Sequence, residues 1–140
     1  MIKTASEIVD QLRTEGHRIT PIRNRILDIL SKSTEPISAL DLIADFKSSN
    51  LNVNKTTIYR EIEFLLGKNL INEVEFGDGK KRYEMDNGHH HHLVCLKCGK
   101  VEDVSLETDL SSEEKKIEKE TGFKVESHSL EFFGICKTCQ

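Results

Sequence analysis

Residues 89–100 read HHHHLVCLKCGK, so four consecutive histidines run directly into a Cys-x-x-Cys pair. A second pair closes the chain in residues 134–140, GICKTCQ. These two pairs contain all four cysteines of the protein: Cys95, Cys98, Cys136 and Cys139. Two such loops supply the four thiolates of a tetrahedral metal site. The spacing predicts a structural Zn²⁺ bound by these four cysteines, with two disulfides or a redox-active pair as the alternative.

The segment between the two pairs must fold as a module that returns to the first pair. In chain order, it predicts strands at 92–95 and 101–104, a helix from 111 to about 121, and a third strand at 123–133. The start of the helix is inferred from a Ser-x-x-Glu capping box, Ser111 to Glu114. A module this short can bury little apolar surface by itself. We therefore expect a homodimer formed through this half of the chain.

The histidine run is internal and enters a strand directly, so it is not read as a purification tag. Alternate side chains of an extended strand point to opposite sides. The run therefore predicts two metal sites with imidazole and carboxylate ligands, a set that suits Zn, Fe or Mn. The acidic partners expected for His90 and His92 are Glu84, Asp86 and Asp103. The partners expected for His89 and His91, in a second site, are Glu107 or Asp109, together with His128.

The first half of the chain has the pattern of a helical domain with a hairpin. Its predicted helices cover residues 5–15, a segment starting at Thr20-Pro21, a segment capped by Ser38, and residues 55 to about 68 after an Asn54 cap. Strands at 70–76 and 80–85 flank Gly77-Asp78-Gly79, a strong hairpin signal. Together these elements predict a winged helix-turn-helix domain.

The fourth helix begins with small polar, basic and aromatic residues, as expected of a recognition helix that enters a major groove. The wing adds Lys80, Lys81 and Arg82, where phosphate contacts are expected. Any one of these basic residues could simply be a solvated surface group. The set on one helix and one wing favours DNA. The predicted DNA-binding residues are Arg18, Thr20, Arg23, Lys55, Thr56, Thr57, Tyr59, Arg60 and Lys81.

Charge divides the 140-residue chain unevenly. Residues 1–84 hold 13 basic and 13 acidic residues and all six arginines, whereas residues 85–140 hold 7 basic and 11 acidic residues. This predicts two domains, a DNA-binding domain at 1–84 and a dimerisation and metal-binding domain at 85–140. The sequence contains no apolar run that could span a bilayer, and metal-binding thiols fit a reducing cytoplasm. We expect a cytoplasmic protein with no membrane partner.

Several of these motifs together resemble the ferric uptake regulator family of bacterial metal-responsive repressors. The matching segments are Arg18-Ile19-Thr20-Pro21-x-Arg23, Thr56-Thr57-Ile58-Tyr59-Arg60, the histidine run with its Cys-Leu-x-Cys-Gly-Lys, and His128 followed by Gly134-x-Cys-x-x-Cys. The resemblance implies an α+β protein. Its parts are an N-terminal winged helix-turn-helix domain and a C-terminal α/β dimerisation domain with a structural zinc site of four cysteines. It also implies a regulatory divalent metal and a palindromic operator.

Within this family, features of the sequence point to different sensed signals. Asp103 matches a position where the family's peroxide sensors tend to carry Asp and its iron sensors Glu. Iron and peroxide sensors usually supply a His just before the third helix, where this chain has Glu35-Pro36-Ile37-Ser38. The remaining residues, Glu84, His90, His92 and Asp103, are then the predicted ligands of the regulatory metal, and a four-coordinate site of this kind suits Zn. We expect a repressor of metal-homeostasis genes, for zinc or iron, with a peroxide sensor as the alternative.

The rival classes are a small zinc metalloenzyme and a metal-storage protein. The sequence has no His-Glu-x-x-His, no phosphate-binding loop and no Ser-His-Asp order, so we expect neither an enzyme nor a small organic substrate. A storage protein would not need the first half of the chain. Neither rival would bind DNA with sequence specificity.

Overall fold

The computed structural model describes residues 3–140, and the chain divides into two compact units. The first unit ends at Gly88, and the second is His89–Gln140. The predicted boundary between residues 84 and 85 would cut the last strand of the first unit, Lys81–Met85. Pairing of that strand over its full length explains why the unit extends beyond residue 84. No helix within residues 3–140 has the length and apolar character needed to cross a membrane.

The N-terminal unit is a winged helix-turn-helix domain, as predicted. In chain order its elements are α1 (Ala5–Thr14), α2 (Pro21–Lys32), β1 (Ile37–Ser38), α3 (Ala39–Ser48), α4 (Lys55–Gly67), β2 (Ile71–Glu75) and β3 (Lys81–Met85). Helices α2, α3 and α4 begin after Thr20, Ser38 and Asn54, whose side chains each accept a hydrogen bond from a backbone amide three residues on. Strand β3 lies between β1 and β2 in an antiparallel sheet, which forms the wing.

Apolar residues at helical spacing make the core of this unit. Each of the four helices buries one face against the others and against the sheet, as the periodicity predicts. The fully buried side chains are Ile8, Leu12, Ile26, Leu27, Leu42, Phe46, Ile58, Ile62, Leu65 and Ile71. This packed core fixes α4 in place, so one face of that helix is inside the domain and the other is exposed.

The C-terminal unit is a small sheet with one helix. Its elements are β4 (His91–Cys95), β5 (Val101–Val104), α5 (Ser111–Thr121), β6 (Glu131–Gly134) and a short 3₁₀ turn at Lys137–Cys139. Strand β4 is central, antiparallel to β5 and parallel to β6. The buried apolar residues of the unit, among those described, are Cys95 and Val101. The prediction that this half could not build a large core is thus correct.

Two local predictions for this unit are wrong. Helix α5 has no Ser-x-x-Glu capping box, because its N-cap is Leu110 in the left-handed region and Ser111 is already helical. The third strand covers only Glu131–Gly134 rather than 123–133. In the segment between α5 and β6, the Val125 amide instead donates to the Glu118 side chain of α5 at 2.8 Å.

Two leucines of α3 test how much the buried face contributes to stability. Leu42 is fully buried, whereas Leu40 is 60% exposed. We expect Leu42→Ala to lower the free energy of unfolding of the N-terminal unit by about 2–5 kcal/mol, because it leaves a cavity. Leu40→Ala serves as the matched control and should change it by less than about 0.5 kcal/mol. Urea unfolding monitored by circular dichroism measures both, and equal effects would contradict this account of α3.

Candidate metal centres and nucleic-acid interface

The four cysteines come together at one end of the C-terminal sheet. Their sulfur atoms all lie within 4.8 Å of one another, and Cys98 Sγ and Cys136 Sγ are 3.8 Å apart. Cys95 ends β4, and the turn to Cys98 closes with the Gly99 amide donating to the Cys95 carbonyl at 2.9 Å. The second pair lies on the 3₁₀ turn, where the Cys139 amide donates to the Cys136 carbonyl. All four are free thiols, so the disulfide alternative does not describe this structure.

Hydrogen bonds within the cysteine cluster favour deprotonation of Cys95. They oppose deprotonation of all four thiols at once. The backbone amides of Cys136 and Cys98 donate to Cys95 Sγ and lower the pKa of Cys95 to about 6. Hydrogen bonds to the sulfurs of Cys136 and Cys98 raise the pKa of Cys139 to about 12. Four thiolates at this spacing require a positive charge among them, which a divalent cation supplies. A tetrahedral sulfur donor set of this kind fits Zn²⁺.

His90, His92 and Asp103 form a second group within the C-terminal unit. The register of β4 and β5 pairs His92 with Asp103. The Nε2 atoms of His90 and His92 lie 3.9 and 3.7 Å from the same oxygen, Asp103 Oδ1. Both imidazoles are almost fully buried, whereas the Asp103 side chain is 53% exposed. Two imidazoles and a carboxylate at one point are a suitable donor set for Zn, Fe or Mn.

Glu84, the fourth residue predicted for this site, lies on β3 of the N-terminal unit. Its part in metal binding stays a prediction.

His89, His91 and His128 form a third group. Their rings contact one another at centroid distances of 4.8 to 5.5 Å. His91 Nδ1 lies 3.1 Å from the Leu130 carbonyl oxygen, and His128 Nδ1 lies 2.7 Å from Glu114 Oε1. Both acceptors favour the tautomer with the proton on Nδ1, which leaves a lone pair on each Nε2.

The two Nε2 atoms support metal binding at this third group. Those of His91 and His128 are buried and have no hydrogen-bond partner among the described residues. A buried nitrogen without a partner is costly, and a metal ion would satisfy both atoms at once. Burial also lowers the pKa of His91, which favours the neutral form that binds metals. The residues present therefore fit a divalent cation.

The carboxylates predicted for this site have different positions. Hydrogen bonds from the Ser111 side chain and from the Ser111 amide, the latter at 3.0 Å, lower the pKa of Asp109. Glu107 is exposed and lines an open pocket with His89 and Asp109. Neither belongs to the group of converging ligand atoms. Glu114, which the sequence analysis assigned to a capping box, is instead the residue that contacts His128.

The N-terminal end of α4 is the candidate nucleic-acid interface. Lys55, Thr56, Tyr59 and Arg60 are exposed there, while Ile58 and Ile62 face the core. Thr57 is half-buried, and both its amide and its hydroxyl bind the Asn54 side chain. The helix thus presents basic, hydroxyl and aromatic groups on one side, as predicted.

The other predicted DNA-binding residues differ in their exposure. Arg18 is exposed, and Thr20 is the N-cap of α2. On the wing, Lys81 is exposed and lies 3.6 Å from Glu73, and Arg82 binds Asp78 at 2.7 Å. Arg23 is only 11% exposed at its side chain and binds Glu61 within the domain. Whether each of these residues contacts DNA stays a prediction.

Comparison with known proteins decides the family. A model of the Ferric uptake regulator family matches residues 14–133. The chain belongs to the ferric uptake regulator family. It is 34% identical over 137 residues to the Ferric uptake regulation protein of Bacillus subtilis, covering 94% of this chain and 91% of that protein.

Other relatives of this family member include a second type of regulator. The chain is 32% identical over 133 residues to the Peroxide operon regulator of Bacillus subtilis, covering 95% and 91% of the two chains. The structure also resembles that of the Helicobacter pylori ferric uptake regulator, with a TM-score of 0.77 and 24% identity over 99% of this chain and 95% of that one. These findings confirm the resemblance, the fold class and the prediction of a regulator rather than an enzyme.

The cysteine cluster predicts that zinc and folding of the C-terminal unit are linked in this family member. We expect Cys136→Ser with Cys139→Ser to lose one bound zinc per chain and the cooperative unfolding transition of that unit, because metal-binding free energy is folding free energy. Thr138→Ala, between the two cysteines, is the control and should keep both. Zinc analysis and calorimetry measure the effect. A double variant that stays folded with its zinc would refute the assignment.

The contact between Glu114 and His128 predicts a supporting role in metal binding. We expect Glu114→Gln to weaken metal binding at the third group by about 10- to 100-fold, because the carboxylate no longer orients the imidazole. Glu113→Gln, an exposed neighbour on the same turn of α5, is the matched control. Calorimetric titration with Zn²⁺ measures both affinities. Equal affinities for the two variants would show that Glu114 has no such role.

Proposed function

We propose that this family member is a metal-dependent homodimeric repressor that binds palindromic operator DNA. The observation that carries the proposal is the combination of an exposed α4 N-terminus with a preformed group of His90, His92 and Asp103. In the proposal, the α4 N-terminus recognises DNA, and the group of His90, His92 and Asp103 binds the metal ion that is sensed. Thiolate ligands persist in a reducing compartment, so we propose that it acts in the cytoplasm.

DNA recognition in this proposal uses two elements of the winged helix. The exposed end of α4 enters the major groove, with Tyr59 and Arg60 at the base edges or phosphates and Lys55, Thr56 and Thr57 beside them. Arg18 and Lys81 contact phosphates on either side. The exposure of Arg18, Lys55, Thr56, Tyr59, Arg60 and Lys81 supports this role, whereas Thr57 is half-buried against Asn54.

Dimerisation follows from the apolar surface of the C-terminal unit. This unit exposes Leu93, Ile117, Phe123, Phe132, Phe133 and Ile135. Leu93 and Phe132 are paired across β4 and β6, so they form one continuous surface. Large exposed apolar patches mark interaction sites, and a second copy of the chain would cover this one with two-fold symmetry. A symmetric dimer in turn matches a palindromic operator.

The signal in this proposal is a divalent cation at the regulatory site. His90, His92 and Asp103, with Glu84 of the N-terminal domain, would hold the ion, whose positive charge would draw these ligands together. That shared ligation favours the arrangement of the two domains that matches the operator. The coupling is a population shift, and metal activates DNA binding only as far as it prefers the DNA-binding state.

We propose Zn²⁺ as the ion, because the sequence predicts four ligands for this site and has no histidine directly before α3, at residues 35–38. Ser38 instead caps α3 by accepting from the Asp41 amide. A four-ligand site of two imidazoles and two carboxylates suits tetrahedral zinc. The second candidate is a peroxide sensor, which Asp103 and the similarity to the Peroxide operon regulator favour. Relatives include both iron and peroxide regulators, so the choice rests on the ligands of this chain.

Metal titration of operator binding tests the proposal. The dimer is treated with chelator so that it keeps one structural zinc per chain, and Zn²⁺, Mn²⁺ and Fe²⁺ are added at buffered free concentrations. We expect Zn²⁺ to activate binding at a far lower free concentration than the others. His90→Ala with His92→Ala should abolish the response, since both ligands are lost. Fluorescence anisotropy with family-type operator DNA measures binding.

Two controls separate the parts of this proposal. Tyr59→Ala with Arg60→Ala should lose operator binding while keeping metal affinity, because these residues lie on α4 in the other unit. A His90 and His92 double variant that still needs metal for operator binding would refute the regulatory site. Activation by Fe²⁺ or Mn²⁺ that peroxide abolishes would identify the peroxide sensor instead.

A further inference from the structure

We propose that Arg23 and Glu61 form a positioning pair that fixes recognition helix α4 against the start of α2. In this role the acidic Glu61 is required for operator binding, although it repels phosphate. Arg23 acts through Glu61 and does not contact DNA. The inference rests on the proposed DNA-binding function.

The contact between the two side chains is bidentate and nearly buried. Arg23 Nε and Nη2 donate to the two carboxylate oxygens of Glu61 at 2.8 and 3.1 Å. The side chains are 11% and 15% exposed. This fork geometry restricts both groups to one arrangement. By comparison, the pair that joins α2 to α3, Arg25 with Asp45, is about one-third exposed on each side.

Further contacts hold the guanidinium of Arg23 in place. Its Nη1 donates to the Arg18 carbonyl at 2.8 Å, and its Cζ lies 3.9 Å from the centroid of the Phe64 ring. The His17 ring meets the same Phe64 ring edge-on, at 5.1 Å. One arginine therefore joins the segment before α2, the first turn of α2, and the middle of α4.

Because Glu61 lies on α4, its contact with Arg23 affects the helix proposed to bind DNA. Glu61 directly follows Tyr59 and Arg60, the residues proposed to read DNA. The core fixes α4 through Ile58, Ile62 and Leu65 on its inner face. The Arg23 contact adds a polar restraint at the side of the helix, beside its exposed end. Recognition needs base-contacting groups held to within fractions of an ångström, so this restraint affects affinity for the operator.

Removing the negative charge of Glu61 has opposite expected effects on DNA binding if Arg23 positions α4 and if Arg23 contacts a phosphate. If Arg23 bound a phosphate, Glu61→Gln would release the guanidinium and remove a negative charge, so DNA binding would strengthen. If the pair positions α4, Glu61→Gln weakens operator binding in spite of the lost negative charge. Glu63→Gln removes the same charge from the same helix at an exposed position and is the matched control.

The experiment compares Glu61→Gln, Glu63→Gln, Arg23→Met and the Arg23 and Glu61 double variant in the full-length metal-loaded protein. We expect Glu61→Gln and Arg23→Met each to lower operator affinity by roughly tenfold or more, and the double variant to be no worse than the single ones. Affinity for random-sequence DNA should change less than about twofold. Glu63→Gln should leave operator affinity unchanged or slightly higher.

A second variant covers the case in which Arg23→Met does not fold. Arg23→Lys keeps the charge but loses the fork, so positioning predicts weaker operator binding and a phosphate contact predicts nearly unchanged binding. Operator binding that tightens in Glu61→Gln as in Glu63→Gln would overturn the proposal. A salt dependence reduced by about one phosphate contact in Arg23→Met would also overturn it.

Hydrogen exchange without DNA separates this inference from the proposed function. We expect faster amide exchange at the start of α4 in Arg23→Met and Glu61→Gln, but not in Glu63→Gln. If the wild-type protein binds no DNA sequence specifically, the proposed function fails, and exchange alone then tests the positioning pair. Exchange rates in α4 equal to those of wild type would overturn the pair in either case.

Discussion

Strand β4 is the constraint on which the C-terminal unit depends, because one five-residue strand and the residue pair before it supply ligands to three clusters. His90 and His92 point to one group, and His89 and His91 point to another, as alternation along a strand requires. Cys95, at the end of the same strand, belongs to the third. A shift of one residue in the pairing of β4 would exchange the two histidine pairs. It would also remove Asp103 from its place opposite His92.

The cysteine turn defines that register. The Cys95 amide donates to the Lys100 carbonyl, and the Gly99 amide donates to the Cys95 carbonyl, each at 2.9 Å. Gly99 has a φ of 77°, a backbone conformation that suits glycine. The number of residues in the turn between β4 and β5, and hence their register, is therefore fixed. A zinc ion held by the four cysteines would therefore stabilise more than its own loops. It would align the strands that bring His92 and Asp103 together, and thus link the structural site to the regulatory one.

Local signals made much of this fold predictable. Thr20, Ser38 and Asn54 each cap a helix by accepting a hydrogen bond from an amide three residues on. The Gly-Asp-Gly turn joins two strands that are neighbours in the sequence. The contact of Glu114 with His128 could not be predicted, because Glu114 also completed a plausible capping box that Asp109 made unnecessary. The pairing of Arg23 with Glu61 depends on how two helices cross, 38 residues apart in sequence, and no local pattern reports it.

The charge of the N-terminal unit suits a protein whose DNA binding must be switched. Arg23, Arg25 and Arg82 each pair with a carboxylate of the same unit, so much of its positive charge is neutralised internally. Each arginine paired in this way is one fewer cation for phosphate contacts, so it weakens the DNA binding of a single domain. Two such domains in a dimer bind tightly only when both fit the operator at once. In the proposed mechanism, weak binding by each domain would let the geometry of the dimer, and the metal proposed to set it, decide whether DNA is bound.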